Sequence, residues 1–286
     1  MATSYAHKFG QIIGDLLERA VEPHLAAFAV KHDLFLDKKG VRKSRSGKKL
    51  TWIDIRENKH DLDFVLEKGG TEEKLGVPAG FIEIAWRRYT KHSRNKSQEI
   101  QGAITPLLEK YAHASPFAGV VLAGEFTEGS ITQLKSHGFA VLYLPYDSVV
   151  KAFATFGIDA SFDEDTPEEA FKAKIEAFEQ LEDNNGIARE LMEINEKELK
   201  NFITAMEIHI TRKIESIVIF PLYGNASIVT DVSAAIDFVN NYNEAAQSPE
   251  FRKYEIIMRY SSGSVINGVF MNKAEAIAFL QHHQQA

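Results

Sequence analysis

The chain has 286 residues, no cysteine and a formal net charge of −7, with 44% hydrophobic and 26% charged residues. That length supports one large domain or two ordinary ones with a sizeable core. The lack of cysteine excludes disulfides, thiolate zinc sites and a cysteine nucleophile, and the acidic balance excludes a globally basic nucleic-acid binder. No run approaches the ~18 apolar residues of a membrane span. The opening MATSYAHKFGQIIGDLLERA has no basic segment followed by an apolar one, so no signal peptide and a cytoplasmic location are expected.

In chain order, residues 5–30 predict a helix, because Ile12, Ile13, Leu16, Leu17, Ala20 and Val21 recur at helical spacing; Pro23 is expected to disturb it. LDKKGVRKSRSGKKL follows, with seven Lys/Arg between Lys38 and Lys49, and predicts a flexible basic loop. LTWIDI (50–55), LDFVLE (62–67) and FIEIAW (81–86) predict an antiparallel meander of three strands. A helix is expected over about 94–112, with Ser93 as N-cap and Ile100, Ile104, Leu107 and Tyr111 on one face. FAGVVLAG and FAVLYLP then alternate with short helices, which predicts a parallel extension of the sheet. Residues 159–213 predict an acidic helical connector, solvated rather than functional.

The last part carries a repeat. IESIVIFPLYGNASIVTDVSAAIDFV and YEIIMRYSSGSVINGVFMNKAEAIAFL both read strand, turn, strand, helix, with Ala235-Ile236 and Ala276-Ile277 offset by 41 positions. Residues 214–286 are therefore expected to form an α+β ββαββα region. The terminal HHQQ, with His282 and His283, is expected to be a flexible end.

Charge is segregated along the chain. Residues 31–96 hold 17 Lys/Arg against 10 Asp/Glu, a net of +7, whereas residues 161–200 hold 5 against 13, a net of −8. A local basic region suits a polyanion even in an acidic protein. The expected phosphate contacts are Lys38, Lys39, Arg42, Lys43, Arg45, Lys48 and Lys49 in the loop, and Arg87, Arg88, Lys91 and Arg94 after the third strand.

Strand alternation places Asp63 and Glu83 side by side on neighbouring strands. Two adjacent carboxylates repel, and a hard divalent cation such as Mg²⁺ or Mn²⁺ relieves the repulsion. On the next helix Lys96 lies one turn before Ile100 on the core-facing stripe, so its ammonium is expected near Glu83; Lys91, in the preceding loop, is the competitor. A lysine beside such a pair positions a water or stabilises a phosphate.

Helix, three-stranded meander, helix, strand, with Asp63 in HDLDFVLE and Glu83 in FIEIAW twenty residues on, resembles the PD-(D/E)XK nuclease core of many restriction endonucleases. The resemblance covers roughly residues 5–157, so that 1–158 are expected to form the nuclease-like core, and LYLPYDSVVKAFATFGIDASFDEDTP is also similar to restriction enzymes. It implies an α/β fold with a mixed sheet and an αβββαβ core. It further implies metal-dependent hydrolysis of double-stranded DNA, a homodimer, a metal ligand in the carbonyl of Ile84, and an additional acid in Glu18. Leu62 stands where the family pattern has proline, and Ala85 stands where it has lysine. The second departure supports an alternative, a catalytically inactive nuclease fold that binds DNA or RNA. A Rossmann-like enzyme on the strands at 117–145 ranks lower, since no phosphate-binding fingerprint follows them.

Overall fold

A computed structural model describes residues 4–221, 225–246 and 251–284. The chain divides into two compact units, residues 1–110 with 117–206, and residues 111–116 with 207–286.

The first unit opens with α1 (Tyr5–Lys31), whose N-terminus is capped by Ser4 accepting from the His7 amide at 3.2 Å. Pro23 does not end this helix: Leu25, Phe28 and Ala29 beyond it are all buried, and that packing offsets the lost backbone bond. Next come β1 (Leu34–Lys38), β2 (Thr51–Ile53), β3 (Lys59–Asp61), β4 (Phe64–Lys68) and β5 (Val77–Arg87). After them run α2 (Ser93–Lys110), β6 (Phe117–Gly124), α3 (Glu128–Ser136), β7 (Ala140–Pro145) and α4 (Tyr146–Ala154).

Five of these strands form a mixed sheet in the order β1-β4-β5-β6-β7. The β1–β4 and β4–β5 pairs are antiparallel, and the β5–β6 and β6–β7 pairs parallel. Every residue of β6 is buried, as the centre of such a sheet requires. The protein is thus α/β with a mixed sheet. The first strand of the meander differs from expectation. It is LFLDK, whose last three residues open the stretch taken for loop, whereas LTWIDI supplies β2 of a separate two-stranded sheet with β3. At five residues, with lysines following, β1 has no alternation long enough to read; its pairing with β4 defines it.

Gly124 ends β6 at φ +95°, and a Cβ there would stand 2.1 Å from the Arg87 carbonyl, which already accepts from the Glu125 amide at 2.7 Å. Gly124→Ala should therefore cost about 2 kcal/mol or more in chemical denaturation.

The acidic stretch is not a separate connector. Its helices are α5 (Glu168–Glu179), α6 (Asn185–Ile194) and α7 (Glu196–Ile210), and as far as Met206 they belong to the first unit. Phe171, Ile175 and Phe178 make a buried stripe on α5, with the Phe171 ring 6.2 Å from Phe9 and 5.1 Å from Phe162. The charge of this stretch lies on the opposite, solvated side.

The second unit holds β8 (Ile214–Pro221), β9 (Ser227–Val229), α8 (Val232–Asn241), β10 (Tyr254–Tyr260), β11 (Val265–Phe270) and α9 (Lys273–Gln284). Its antiparallel sheet has the order β11-β10-β8-β9, so two ββα copies join through their first strands. The 41-residue offset carries Ile217 to Met258, and these two residues face each other in the β8–β10 register. Ala235 and Ala276 occupy equivalent, fully buried places on the two helices. The turn of the first copy, at 222–224, lies outside the described residues. The HHQQ stretch is not a free end as far as residue 284: α9 runs to Gln284, and His283 is buried with Nδ1 2.9 Å from the Tyr260 hydroxyl.

Candidate functional site

The β4–β5 ladder closes at Phe64 opposite Ile82, and one further step of that register sets Asp63 opposite Glu83. At the next step the ladder fails, because the Leu62 amide donates to the Leu50 carbonyl at 2.8 Å instead of to β5. The Ile84 amide, left without its strand partner, donates to Asp63 Oδ2 at 2.6 Å. In a strand the amide and carbonyl of one residue point to the same side. The Ile84 carbonyl therefore faces the gap where Asp63 stands.

Glu83 is 8% exposed, and its Oε1 is buried with no hydrogen-bond partner. Burial, reinforced by the Asp63 charge, pushes the Glu83 carboxyl up to about 8, although Lys96 opposes the shift. Burial also raises Asp63, against the Ile84 amide and the Lys96 charge. Glu18 on α1 is raised by its own partial burial and then by Asp63, and Lys39 opposes that shift. The fold therefore gathers Glu18, Asp63, Glu83 and Lys96 within electrostatic reach of one another. Lys39 joins them, a role the sequence could not assign while β1 was read as loop.

Among the described residues no group of three or more His, Asp and Glu side chains is arranged to hold a metal ion. Asp63 and Glu83 make a set of two. Two carboxylates with one carbonyl suit Mg²⁺, which keeps several waters, and the orphaned Glu83 Oε1 is the kind of buried acceptor a cation satisfies.

Lys96 and Lys91 separate clearly. Lys96, 22% exposed, acts on both carboxylates and lies 3.6 Å from Glu99. The Lys91 ammonium is exposed and bonded to Glu164 at 2.5 Å.

The basic loop requires a correction. Arg42 is buried, donating to Asp37 at 2.6 Å, to both oxygens of Glu67 at 2.6 and 2.9 Å, and to the carbonyls of Thr71 and Lys74. Arg45, with a side chain 10% exposed, donates to Asp37, to the Lys38 carbonyl and to the Lys49 carbonyl. Both are therefore internal ties that pin the loop to the sheet edge, and neither is open to a phosphate. Exposed cations remain in Lys38, bonded to Glu22, and in Lys43, Lys48 and Lys49; Lys43 pairs with Glu73 and Lys49 with Asp61.

Beyond the carboxylates β5 runs into a cleft of about 630 Å³, lined by Gln11, Ile84, Trp86, Arg87, Arg88, Tyr89, Lys96, Phe162 and Glu164 among others. Arg88 forms part of its wall, lying 3.9 Å over the Tyr146 ring and donating to the Phe162 carbonyl at 2.7 Å. Arg87 is half-buried, with Nη2 3.8 Å from Glu99, and Arg94 is exposed. Sequence reading missed this cleft, because Phe162 and Glu164 lie about 75 positions from β5.

No helix among the described residues is long and apolar enough to cross a membrane. No family model and no curated protein matches the chain. Among solved structures, the crystal structure of the protein of unknown function AF1548 is similar at 11% identity and a TM-score of 0.31, over 68% of this chain and 98% of that one.

Proposed function

We propose that the protein is a divalent-metal-dependent endodeoxyribonuclease of the PD-(D/E)XK type, acting on double-stranded DNA as a restriction enzyme does. The observation that carries this reading is the meeting of Asp63 and Glu83 just past the end of the β4–β5 ladder, with the Glu83 Oε1 buried and unpartnered. The helix before the sheet, the antiparallel β1-β4-β5 half and the parallel β5–β6 step follow the order of that nuclease core.

In this reading Asp63, Glu83 and the Ile84 carbonyl hold Mg²⁺ or Mn²⁺. The ion would supply charge neutralisation at the scissile phosphate and a more acidic water. Lys96 takes the place left by Ala85: its ammonium reaches the carboxylates from α2 rather than from β5, and holds the phosphate or the attacking water. Glu18 orders that water from the α1 side. Lys39, Lys48, Arg94 and Arg87 position the sugar-phosphate backbone without reading sequence. Cutting both strands of a symmetric site calls for two subunits.

The test is cleavage of supercoiled plasmid and phage DNA with Mg²⁺ and with EDTA. Asp63→Asn should lower the rate on the order of 10²-fold or more while DNA affinity in EDTA stays within about twofold. Lys96→Ala should lower the rate by at least about tenfold, and normal cutting by that variant removes Lys96 from the mechanism. A second reading, a DNA- or RNA-binding module without activity, is favoured by Ala85. Tight binding with no cleavage in either metal would establish it over the first.

A further inference from the structure

The four-stranded sheet of the second unit has two very different faces. On one, Ile217, Ile219, Tyr254, Ile256, Met258, Tyr260 and Ile266 pack with α8 and α9 into a closed core. The residues between them point to the other face. A one-sided antiparallel sheet normally turns polar residues outward, yet this face carries Val218, Phe220, Ile228, Ile257, Val265 and Val269. Phe220 is 38% exposed, Val265 47%, Val269 54% and Ile228 70%. Apolar side chains from all four strands thus share this face with a few charged and polar ones, and exposed apolar faces mark interaction sites.

The pattern of charge within the patch identifies what covers it. The register sets three rows across the sheet. The middle row runs Asn267, Ile257, Val218, Ile228; the row on one side is Val269, Glu255, Phe220, and the row on the other is Val265, Arg259, Ser216. Glu255 and Arg259 sit symmetrically about Ile257, each about 7 Å along the strand from it. They are therefore too far apart to pair with each other, and neither makes an ion pair or side-chain hydrogen bond with another described residue.

Consider a two-fold axis parallel to the sheet, perpendicular to its strands and level with Ile257. It lays β10 antiparallel over β10 of a second copy. The middle rows then meet each other, Val269 meets Val265 of the partner subunit, and Glu255 meets Arg259 of the partner subunit. The same rotation brings Arg259 onto Glu255 of the partner subunit, so the dimer holds two such pairs and each charge is matched once. An axis along the strands would instead oppose Glu255 to Glu255 and Arg259 to Arg259.

We propose that this face is covered by a second copy of the chain, giving a β-sandwich of two four-stranded sheets in aligned packing. The inference rests on the sheet alone and not on the nuclease reading, so a protein that never cuts DNA would leave it standing.

The test is sedimentation velocity on the full chain. The wild type should be dimeric at about 10 µM. Glu255→Arg sets arginine against arginine at two symmetric places, and Arg259→Glu sets glutamate against glutamate. Each single variant should weaken the dimer about 100-fold, since like charges across an interface cost several kcal/mol. The double variant E255R/R259E restores opposite charges and should return the dimer to within about tenfold of wild type. A wild type that is monomeric at about 100 µM overturns the proposal and leaves the face to a different protein. A dimer that both single variants leave intact also overturns it, by placing the interface elsewhere.

Discussion

Glu83→Gln is expected to raise the melting temperature of the metal-free protein at pH 8 while abolishing metal-dependent DNA cleavage. The unfolded chain releases the Glu83 proton near its ordinary 4.5, and the fold holds it to about 8. Between those values the folded state carries an extra proton, so stability falls as pH rises. Below about 4.5 both states are protonated and no penalty exists; above about 8 the penalty is complete. Gln removes the titration. Its advantage should therefore be near zero at pH 4 and grow to on the order of 2–4 kcal/mol by pH 8, or about 5 °C or more for a unit of this size. Mg²⁺ should restore stability to the wild type at pH 8 and do little for the variant. A pH profile of unfolding that is the same for both proteins would show that Glu83 is not held protonated, and would weaken the case for a cation beside it.

Arg42→Ala should be the most destabilising single change in the basic loop. It leaves Glu67, fully buried, and Asp37, 3% exposed, without their main cation. Removing one member of a buried ion group costs about 3–5 kcal/mol, because the charges left behind are uncompensated. Thermal unfolding should fall by about 10 °C. Arg42→Lys should recover little, since one ammonium cannot replace the fork that spans both Glu67 oxygens and the Thr71 and Lys74 carbonyls. By contrast Lys48→Ala, an exposed change in the same loop, should leave stability within about 0.5 kcal/mol. If Arg42→Ala proves equally mild, the loop is held by something other than this network.

These two residues mark what the sequence made legible and what it did not. The Asp63–Glu83 pairing followed from strand alternation alone, because β4 and β5 are sequence neighbours and their apolar residues are long runs. Lys96 followed from its place on the α2 stripe. Arg42 was misread for a physical reason: a lysine-rich, glycine-containing loop has the composition of a solvated segment, and burial of one arginine within it depends on Glu67 and Asp37 from strands elsewhere. The same cause hid β1 and the buried side of α5. His283 illustrates the converse case. A polar tail masked the spacing of Ala276, Leu280 and His283, which places all three on the buried side of α9. Local patterns carried the elements whose partners lie nearby, and failed where a distant partner overrode local composition.

The way the two ββα copies join has a temporal consequence. β8 and β9 make a hairpin early, but the other edge of β8 is completed only by β10, about forty residues later. At the pace of a ribosome, 5–20 residues per second, that edge waits on the order of seconds for its neighbour. Through that interval Ile217 and Ile219 belong to a half-sheet with an open side, and the nascent chain is most exposed to mispairing with another of its kind.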